Sequence, residues 1–295
     1  MTIEKYIRKE LRGPPRRSAT RRSGPPDPEM ISLAAGDPNF LLPDYITQAV
    51  KTAIEIGQTH YCFGGDPELK QAIAKYYSKY GYQTEATQVN ITSGGSQSIL
   101  KAYAALLNPG DEVVAFDPAY SGGTMAPAYF GAKTIFAPLQ KLSDGSYDFD
   151  EEALKKAITE KTKCLYIENP GNPSGKVYGE KELKVIADLS KDHDFLIVSD
   201  ETYTEFIWTG ATHLPIINMP GMEIRVIVAM ALTKMFAWAG MSTGWVIAGP
   251  ELNQYVSRAP MGGASWPIQR GCLKGLTDGY QFVLDMRQEY KERIE

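Results

Sequence analysis

Short continuous apolar segments alternate along the chain with longer segments in which apolar residues recur at helical spacing. The apolar segments that predict buried strands are 89–92, 112–116, 163–169, 195–200, 225–232 and 245–249. Helical spacing predicts helices at about 43–56, 67–80, 94–107, 151–158 and 180–194. Apolar strands separated by amphipathic helices are typical of a mostly parallel sheet that helices cover on both faces. The pattern therefore predicts an α/β fold, a three-layer sandwich around a mostly parallel central sheet.

The composition is that of a folded globular chain. Of 295 residues, 43 % are apolar and 22 % are charged, and the formal charge of −4 argues against a nucleic-acid partner. The apolar segment 226–232 has seven residues, too few to cross a bilayer, and no apolar signal segment opens the chain. Three widely separated cysteines predict reduced thiols in a cytoplasmic protein, not a disulfide scaffold or a metal site.

Residues 1–30 differ in composition from the rest of the chain. They are rich in proline, glycine and arginine and contain almost no residues that build a core. This composition predicts an extended N-terminal arm, with an anion- or partner-binding tail as the alternative. Acidic residues dilute the positive charge, which favours a solvated arm.

Polar residues follow the predicted strands at the points where bound ligands lie in open α/β sheets, beyond the carboxyl ends. The segments concerned are 92–97, 118–120, 169–175, 200–203 and 233–234. The residues at these strand ends are therefore candidates for binding a ligand.

Each strand end has a functional and a structural interpretation. The glycines of SGGSQS (93–98) let backbone N–H groups approach an anion, or form a tight turn. Asp200 ends an apolar strand and could pair with a protonated heterocycle, or cap a helix. Lys234 could be a desolvated nucleophile or an ordinary surface lysine. Asn172 offers an amide donor, and Tyr120 could stack on a flat ligand or pack in the core. Together these groups match the requirements of pyridoxal phosphate.

Longer stretches of the sequence extend this match. They are ISLAAGDPNF, HYCFGGDPELKQAI, ITSGGSQS, LNPGDEVVAFDPAY, IENPGNPSGKVY, VSDETY and LTKMFAWAGMSTGW. In their order and spacing, from about residue 31 to the end, the chain resembles the class I/II aminotransferases, which are fold-type I pyridoxal-phosphate enzymes. The resemblance implies an enzyme that moves an amino group between an L-amino acid and a 2-oxo acid.

The resemblance also implies roles for individual residues that contact the cofactor ring. Lys234 would form the Schiff base and move the proton between substrate and cofactor. Asp200 would keep the pyridine nitrogen protonated. Asn172 and Tyr203 would bind the phenolic oxygen, and Tyr120 would stack on the ring.

Further residues are implied to bind the phosphate, the substrate and a second subunit. Gly95, Ser96 and Gln97 would bind the phosphate. Gly36 would approach the substrate carboxylate through its backbone, and Asn172 would also contact the substrate. Tyr61 would reach the phosphate of the neighbouring subunit, so the resemblance implies a homodimer.

The sequence departs from the family at two cofactor-binding positions. Ser242 stands where the family usually has a phosphate-binding arginine, and Ala231 where it has a serine. A charge-assisted hydrogen bond contributes about 1.5–3 kcal/mol, so we expect cofactor affinity to be lower by about one or two orders of magnitude. Arg258 or Arg270 are candidate substitutes.

The resemblance divides the chain after the arm. Residues 31–60 would contribute to the substrate side, 61–280 would form the large cofactor-binding domain, and 281–295 would begin a helix leading to a small domain. That domain carries the family's substrate-carboxylate arginine. A β-lyase-type enzyme of the same fold type and a truncated, weakly active cofactor-binding protein are the alternative functions.

Overall fold

The computed structural model describes residues 8–9, 36–260 and 262–295. The strands are β1 (Val89–Thr92), β2 (Glu112–Asp117), β3 (Lys133–Pro138), β4 (Gln140–Lys141), β5 (Tyr147–Asp148), β6 (Thr162–Glu168), β7 (Leu196–Asp200), β8 (Val226–Ala231) and β9 (Gly244–Ala248). The helices are α1 (Asp44–Glu55), α2 (Pro67–Ser78), α3 (Gly95–Leu106), α4 (Ser121–Thr124), α5 (Glu151–Ala157), α6 (Glu180–Asp192), α7 (Pro250–Val256), α8 (Trp266–Asp278) and α9 (Tyr280–Ile294). Short 3₁₀ turns connect several of them.

Within the described residues, seven strands form one sheet in the order β1-β9-β8-β7-β6-β2-β3. All neighbouring pairs from β8 to β3 are parallel, whereas β9 runs antiparallel to both β8 and β1. Strands β1, β2, β6, β7 and β8 therefore end at the same edge of the sheet. The predicted three-layer sandwich with a mostly parallel sheet is confirmed.

Side chains of the central strands pack alternately on the two faces of the sheet. In β8, Val226, Val228 and Met230 belong to one apolar core, and Ile227 and Ala229 belong to the other. All six residues of this strand are buried. Because helices cover both faces, the strand is apolar at consecutive positions, which is the pattern seen in the sequence.

Helix starts follow local capping chemistry. Asp66 accepts hydrogen bonds from the backbone of Glu68 and Leu69, and Pro67 occupies the first position of α2. Asp150, the N-cap of α5, accepts a hydrogen bond from the backbone of Ala153 at 2.9 Å. Such contacts depend only on neighbouring residues, so the sequence predicts them well.

The structure adds elements that the sequence pattern did not predict: β3, the β4–β5 hairpin, α4, α7 and α8. Helix α9 contains most of the segment 281–295. The predicted arm 1–30 lies outside the described residues except for Arg8 and Lys9. None of the helices in the described part of the chain is both long and apolar enough to span a membrane.

Candidate active site

A cavity of about 730 Å³ lies at the carboxyl ends of the parallel strands. Nine of the ten predicted site residues line it: Gly36, Gly95, Ser96, Gln97, Tyr120, Asn172, Asp200, Tyr203 and Lys234. They come from six separate stretches of sequence, which the fold brings to one edge of the sheet. The cavity therefore joins groups of complementary chemistry.

Lys234 follows β8 and lines this cavity. Its amine Nζ donates a hydrogen bond to the backbone oxygen of Gly36. Partial burial lowers the pKa of Lys234, although attraction to Asp37 opposes the shift. A lower pKa leaves more of the amine unprotonated at neutral pH and makes it a better nucleophile.

Asp200 ends β7, the strand next to β8, and its carboxylate is buried. Its Oδ1 accepts hydrogen bonds from the backbone N (3.0 Å) and the hydroxyl (2.6 Å) of Thr202. Its Oδ2 lies 3.2 Å from the Tyr166 hydroxyl. Burial raises the pKa of Asp200, and the Thr202 donors oppose this. A buried carboxylate of this kind is well placed to bind a cationic ring nitrogen.

The N-terminus of α3 provides a place for an anion. Gly94 has φ +101°, and no side chain caps the first turn of the helix. A side chain at Gly95 would stand 3.3 Å from Cβ of Ala231, so glycine keeps the backbone accessible. The hydroxyl of Ser96 lies 3.2 Å from that of Tyr120. Free N–H groups and the helix dipole favour a phosphate here.

Three further side chains surround the space between Lys234 and Asp200. Tyr120 is the N-cap of α4, Asn172 lies in the loop after β6, and Tyr203 follows β7. Burial, followed by repulsion from Asp200 and Glu168, raises the pKa of Tyr203 to about 12. Tyr203 is therefore protonated at neutral pH and can donate a hydrogen bond.

The sequence analysis missed Glu168, which also lines the cavity. It is the last residue of β6 and lies directly opposite Asp200 in the pairing with β7. The signal that identified Asp200, a carboxylate ending an apolar strand, was equally present at Glu168. Asp37 and Thr202 line the cavity as well and were not predicted individually.

Ser242 and Ala231, the two departures from the family pattern, also line the cavity. Among the described residues that do so, Lys234 is the only lysine or arginine. Arg270 instead pairs with Asp66 and Glu68, and Arg258 stacks against Tyr255. Neither predicted substitute lines the cavity, so the structure supplies no arginine in place of Ser242 within the described part of the chain.

Tyr61, the tenth predicted residue, lies elsewhere. It is 86 % exposed and its ring is 5.5 Å from that of Phe63, which is 90 % exposed. Both line a second cavity, of about 890 Å³, together with Trp266. Within one copy of the chain, Tyr61 is therefore not part of the Lys234 cavity.

The donor set fits pyridoxal phosphate. The uncapped α3 N-terminus suits its phosphate, Oδ2 of Asp200 suits its ring nitrogen, and the amine of Lys234 suits its aldehyde. A Cβ atom at Gly95 would stand 3.3 Å from Cβ of Ala231 and 3.6 Å from the Thr202 hydroxyl, so glycine leaves space at the start of α3. The residues present thus match the phosphate, the ring nitrogen and the aldehyde of the cofactor.

Comparison with known proteins leads to the same family. A family profile described as "Aminotransferase class I and II" matches residues 28–295. The chain belongs to the class I and II aminotransferases. It is therefore a pyridoxal-phosphate-dependent aminotransferase, and the family resemblance predicted from sequence is confirmed.

Relatives of this aminotransferase have a range of names. Aspartate aminotransferase of Pyrococcus abyssi is 35 % identical over 274 residues, which cover 90 % of this chain and 70 % of that protein. Aromatic-amino-acid aminotransferase 2 of Thermococcus litoralis is 34 % identical, with 90 % and 69 % covered. The structure of N-succinyldiaminopimelate aminotransferase from Mycobacterium tuberculosis aligns with a TM-score of 0.83 and 30 % identity, covering 88 % of this chain and 69 % of that one.

Proposed function

We propose that this aminotransferase uses Lys234 to bind pyridoxal phosphate covalently and Asp200 to bind its ring nitrogen. Gly95, Ser96 and Gln97 would hold the phosphate through the first turn of α3. The observation that carries the proposal is that Lys234 and Asp200, at the ends of neighbouring strands β8 and β7, line one cavity.

The other cavity residues would orient the ring and the substrate. Tyr120 would lie against the ring face. Tyr203, which keeps its proton, and the Asn172 amide would donate hydrogen bonds to the phenolic oxygen. The backbone of Gly36 would contact the substrate carboxylate, where it also holds the Lys234 amine.

Pyridoxal phosphate, when bound, supplies an electron-withdrawing ring that stabilises negative charge at the carbon bearing the substrate's amino group. The chain supplies the proton transfers. The amine of Lys234, with its lowered pKa, can take a proton from that carbon and return it at the neighbouring position. Asp200 keeps a positive charge on the ring nitrogen by offering a buried carboxylate.

The test compares Lys234→Ala with Lys133→Ala, an exposed lysine outside the cavity. The purified enzyme with pyridoxal phosphate should show a visible absorption band that borohydride traps as a covalent adduct. Lys234→Ala should lose the adduct, and the control should keep it. If both variants retain it, Lys234 is not the attachment site.

Reaction with a panel of amino acids separates the possible activities. Conversion of the bound cofactor to its amine form, reversed by 2-oxo acids, is the result expected for an aminotransferase. Release of ammonia and pyruvate from a β-substituted amino acid would instead show β-lyase activity. An unchanged spectrum with every amino acid would show cofactor binding without turnover.

The exposed rings of Tyr61 and Phe63 support the proposal that the enzyme is a homodimer. Two large aromatic side chains that are 86 % and 90 % exposed form an apolar surface that a second copy could cover. Sedimentation should give a dimer, and Tyr61→Ser with Phe63→Ser should give monomers with weakened phosphate binding. A monomeric wild-type enzyme would contradict the proposal.

Contacts between the segment before α1 and α9 support placing both on the substrate side of the large domain. Phe40 and Tyr290 meet edge to face at 5.3 Å, and Arg293 donates to Asn39 at 3.1 Å. A cytoplasmic location remains our prediction, because Cys62, Cys164 and Cys272 are free thiols.

A further inference from the structure

The Glu168 carboxylate accepts hydrogen bonds from three groups of the chain, which is more than contact with the cofactor ring requires. Its Oε1 lies 3.0 Å from the backbone N of Tyr120 and 2.8 Å from the Tyr166 hydroxyl. Its Oε2 lies 3.0 Å from the backbone N of Asn172 and 3.2 Å from that of Tyr120. One buried carboxylate thus joins the two loops that carry Tyr120 and Asn172.

The same carboxylate faces Asp200 across the hydroxyl of Tyr166. The distances from this hydroxyl are 2.8 Å to Oε1 of Glu168 and 3.2 Å to Oδ2 of Asp200. A phenol has one proton and can donate to only one carboxylate at a time. The other carboxyl group can form a hydrogen bond with this hydroxyl only if it carries a proton and donates it to the phenol oxygen. Both contacts are therefore hydrogen bonds when Glu168 and Asp200 together carry one negative charge.

The ionisable groups around Glu168 and Asp200 are carboxyl and phenol groups, which become negative when they lose a proton. Groups that face Glu168 are Asp200 on β7, Tyr166 on its own strand, Tyr103 on α3, Tyr120 at the start of α4, Tyr178 before α6 and Tyr203 after β7. Lys234 is the only lysine or arginine among the described residues lining the same cavity. Burial, followed by repulsion from Asp200, raises the pKa of Glu168 to about 8.

We propose that Glu168 is a positioning residue of the cofactor site: it fixes the Tyr120 and Asn172 loops and, through Tyr166, couples its own charge to Asp200. This inference rests on the proposed function, because it takes the Asp200 carboxylate as the partner of the ring nitrogen. Through this coupling, the protonation of Glu168 changes the negative charge on the Asp200 carboxylate, which is the partner of the ring nitrogen.

The absence of a side chain at Gly123 leaves space for the Tyr166 ring. A Cβ atom on Gly123 would stand 2.1 Å from Cζ of the Tyr166 ring. Tyr166 is buried and its ring cannot move aside without losing both carboxylate contacts. Glycine at position 123 therefore allows the hydroxyl to stand between Glu168 and Asp200.

The test measures the absorption spectrum of bound pyridoxal phosphate as a function of pH. It uses the Lys234→Ala enzyme as the parent, because this removes the titration of the lysine adduct. The parent should show a pH-dependent transition that reports Glu168. Glu168→Gln, which has nearly the same shape, should abolish that transition or move it by about one pH unit or more.

Cofactor affinity provides the second measurement. In Glu168→Gln an amide NH₂ replaces one oxygen that accepts a backbone N–H, so we expect Kd for pyridoxal phosphate to rise about tenfold. Tyr166→Phe keeps both backbone contacts of Glu168. It should change Kd by less than about threefold and still displace the pH transition.

The outcomes separate this inference from the proposed function. A Glu168→Gln enzyme with unchanged Kd and pH transition would overturn the inference while the proposed function stands. Weaker binding with an unchanged transition in both variants would overturn it too, because Glu168 would then be only structural. A wild-type enzyme that binds no pyridoxal phosphate would overturn both proposals together.

Discussion

Thr202 donates two hydrogen bonds to a single oxygen atom of Asp200. Its backbone N and its hydroxyl lie 3.0 Å and 2.6 Å from Oδ1, whereas the one hydrogen-bond contact of Oδ2 among the described residues is with the Tyr166 hydroxyl. One side of the carboxylate is therefore held by the chain, and the other side remains available for a ligand. Because hydrogen bonds to the charged form lower a carboxyl pKa, Thr202 offsets part of the effect of burial.

Replacing Thr202 with valine removes the hydroxyl and keeps the shape and the backbone N–H. Loss of a charge-assisted hydrogen bond should raise the pKa of Asp200 further, because the Thr202 hydroxyl opposes the effect of burial. The anionic form then requires a higher pH, so the acid side of the profile of kcat/KM should move to higher pH. Thr87→Val, at an exposed position, is the control. If the acid side of the kcat/KM profile does not move in Thr202→Val, the hydroxyl does not hold Asp200 ionised.

Restoring an arginine at position 242 should strengthen cofactor binding. Ser242 lines the cavity, where Lys234 is the only cation among the described lining residues. A charge-assisted contact to the phosphate should lower Kd for pyridoxal phosphate by about tenfold to hundredfold in Ser242→Arg. The positive φ of Ser242, +43°, will offset part of this gain.

Fluorescence titration of the apoenzyme measures this affinity. Ser78→Arg adds the same charge at an exposed position outside the cavity and should leave Kd unchanged. Equal strengthening in both variants would attribute the effect to net charge and not to contact with the phosphate.

Gly123→Ala should damage both stability and the site. The new methyl group would collide with the buried Tyr166 ring, and overpacking of this kind costs about 1–3 kcal/mol. Urea unfolding measures the loss. At Gly262, where nothing lies within 4 Å of an added Cβ, alanine should have no comparable effect. Equal stability of the two variants would mean that Tyr166 can shift without cost.

Lys79→Ala should destabilise the protein in a pH-dependent way. Glu205 is buried and accepts hydrogen bonds from Lys79, Tyr76, Tyr80 and Tyr280. Burial acts to raise the pKa of Glu205, but attraction to Lys79 and these hydrogen bonds outweigh it, so the pKa lies below its usual value. The pair therefore stabilises the fold above the unfolded-state pKa of about 4.3, and this contribution is lost as the pH falls through the lower, folded-state pKa.

Without Lys79, burial dominates and Glu205 becomes a costly buried anion at neutral pH. Since three tyrosine hydroxyls still donate to it, we expect a loss of about 1–3 kcal/mol at pH 7. The loss should shrink toward pH 5 as Glu205 gains a proton. Thermal unfolding across this range measures it, with Lys184→Ala on the exposed face of α6 as control. A loss that does not vary with pH would contradict the assigned role of Glu205.

The elements that the sequence predicted well depend on local chemistry. The apolar strands β6, β7 and β8 and the Asp66 cap of α2 can be identified from neighbouring residues alone. Helix α8 was missed because it contains Gly271 and Gly275, which weaken helix propensity. The structure shows why position 271 requires a glycine: an added Cβ on Gly271 would stand 2.7 Å from the Trp238 ring, which is too close.

Edge strand β3 was missed for a related reason. It lies at the border of the sheet, and most of its residues are partly or fully exposed. Only strands covered on both faces give the continuous apolar pattern on which the prediction depended.

The sequence by itself determined the sheet type, the strand ends that carry chemistry and the resemblance built on Lys234 and Asp200. Each of these is a property of a short stretch, because burial on both faces and capping leave local patterns. Only the tertiary structure decided that Glu168 faces Asp200 across Tyr166, and that neither Arg258 nor Arg270 lines the cavity. Register between strands and the position of distant side chains depend on the packing of the whole chain, which no local pattern records.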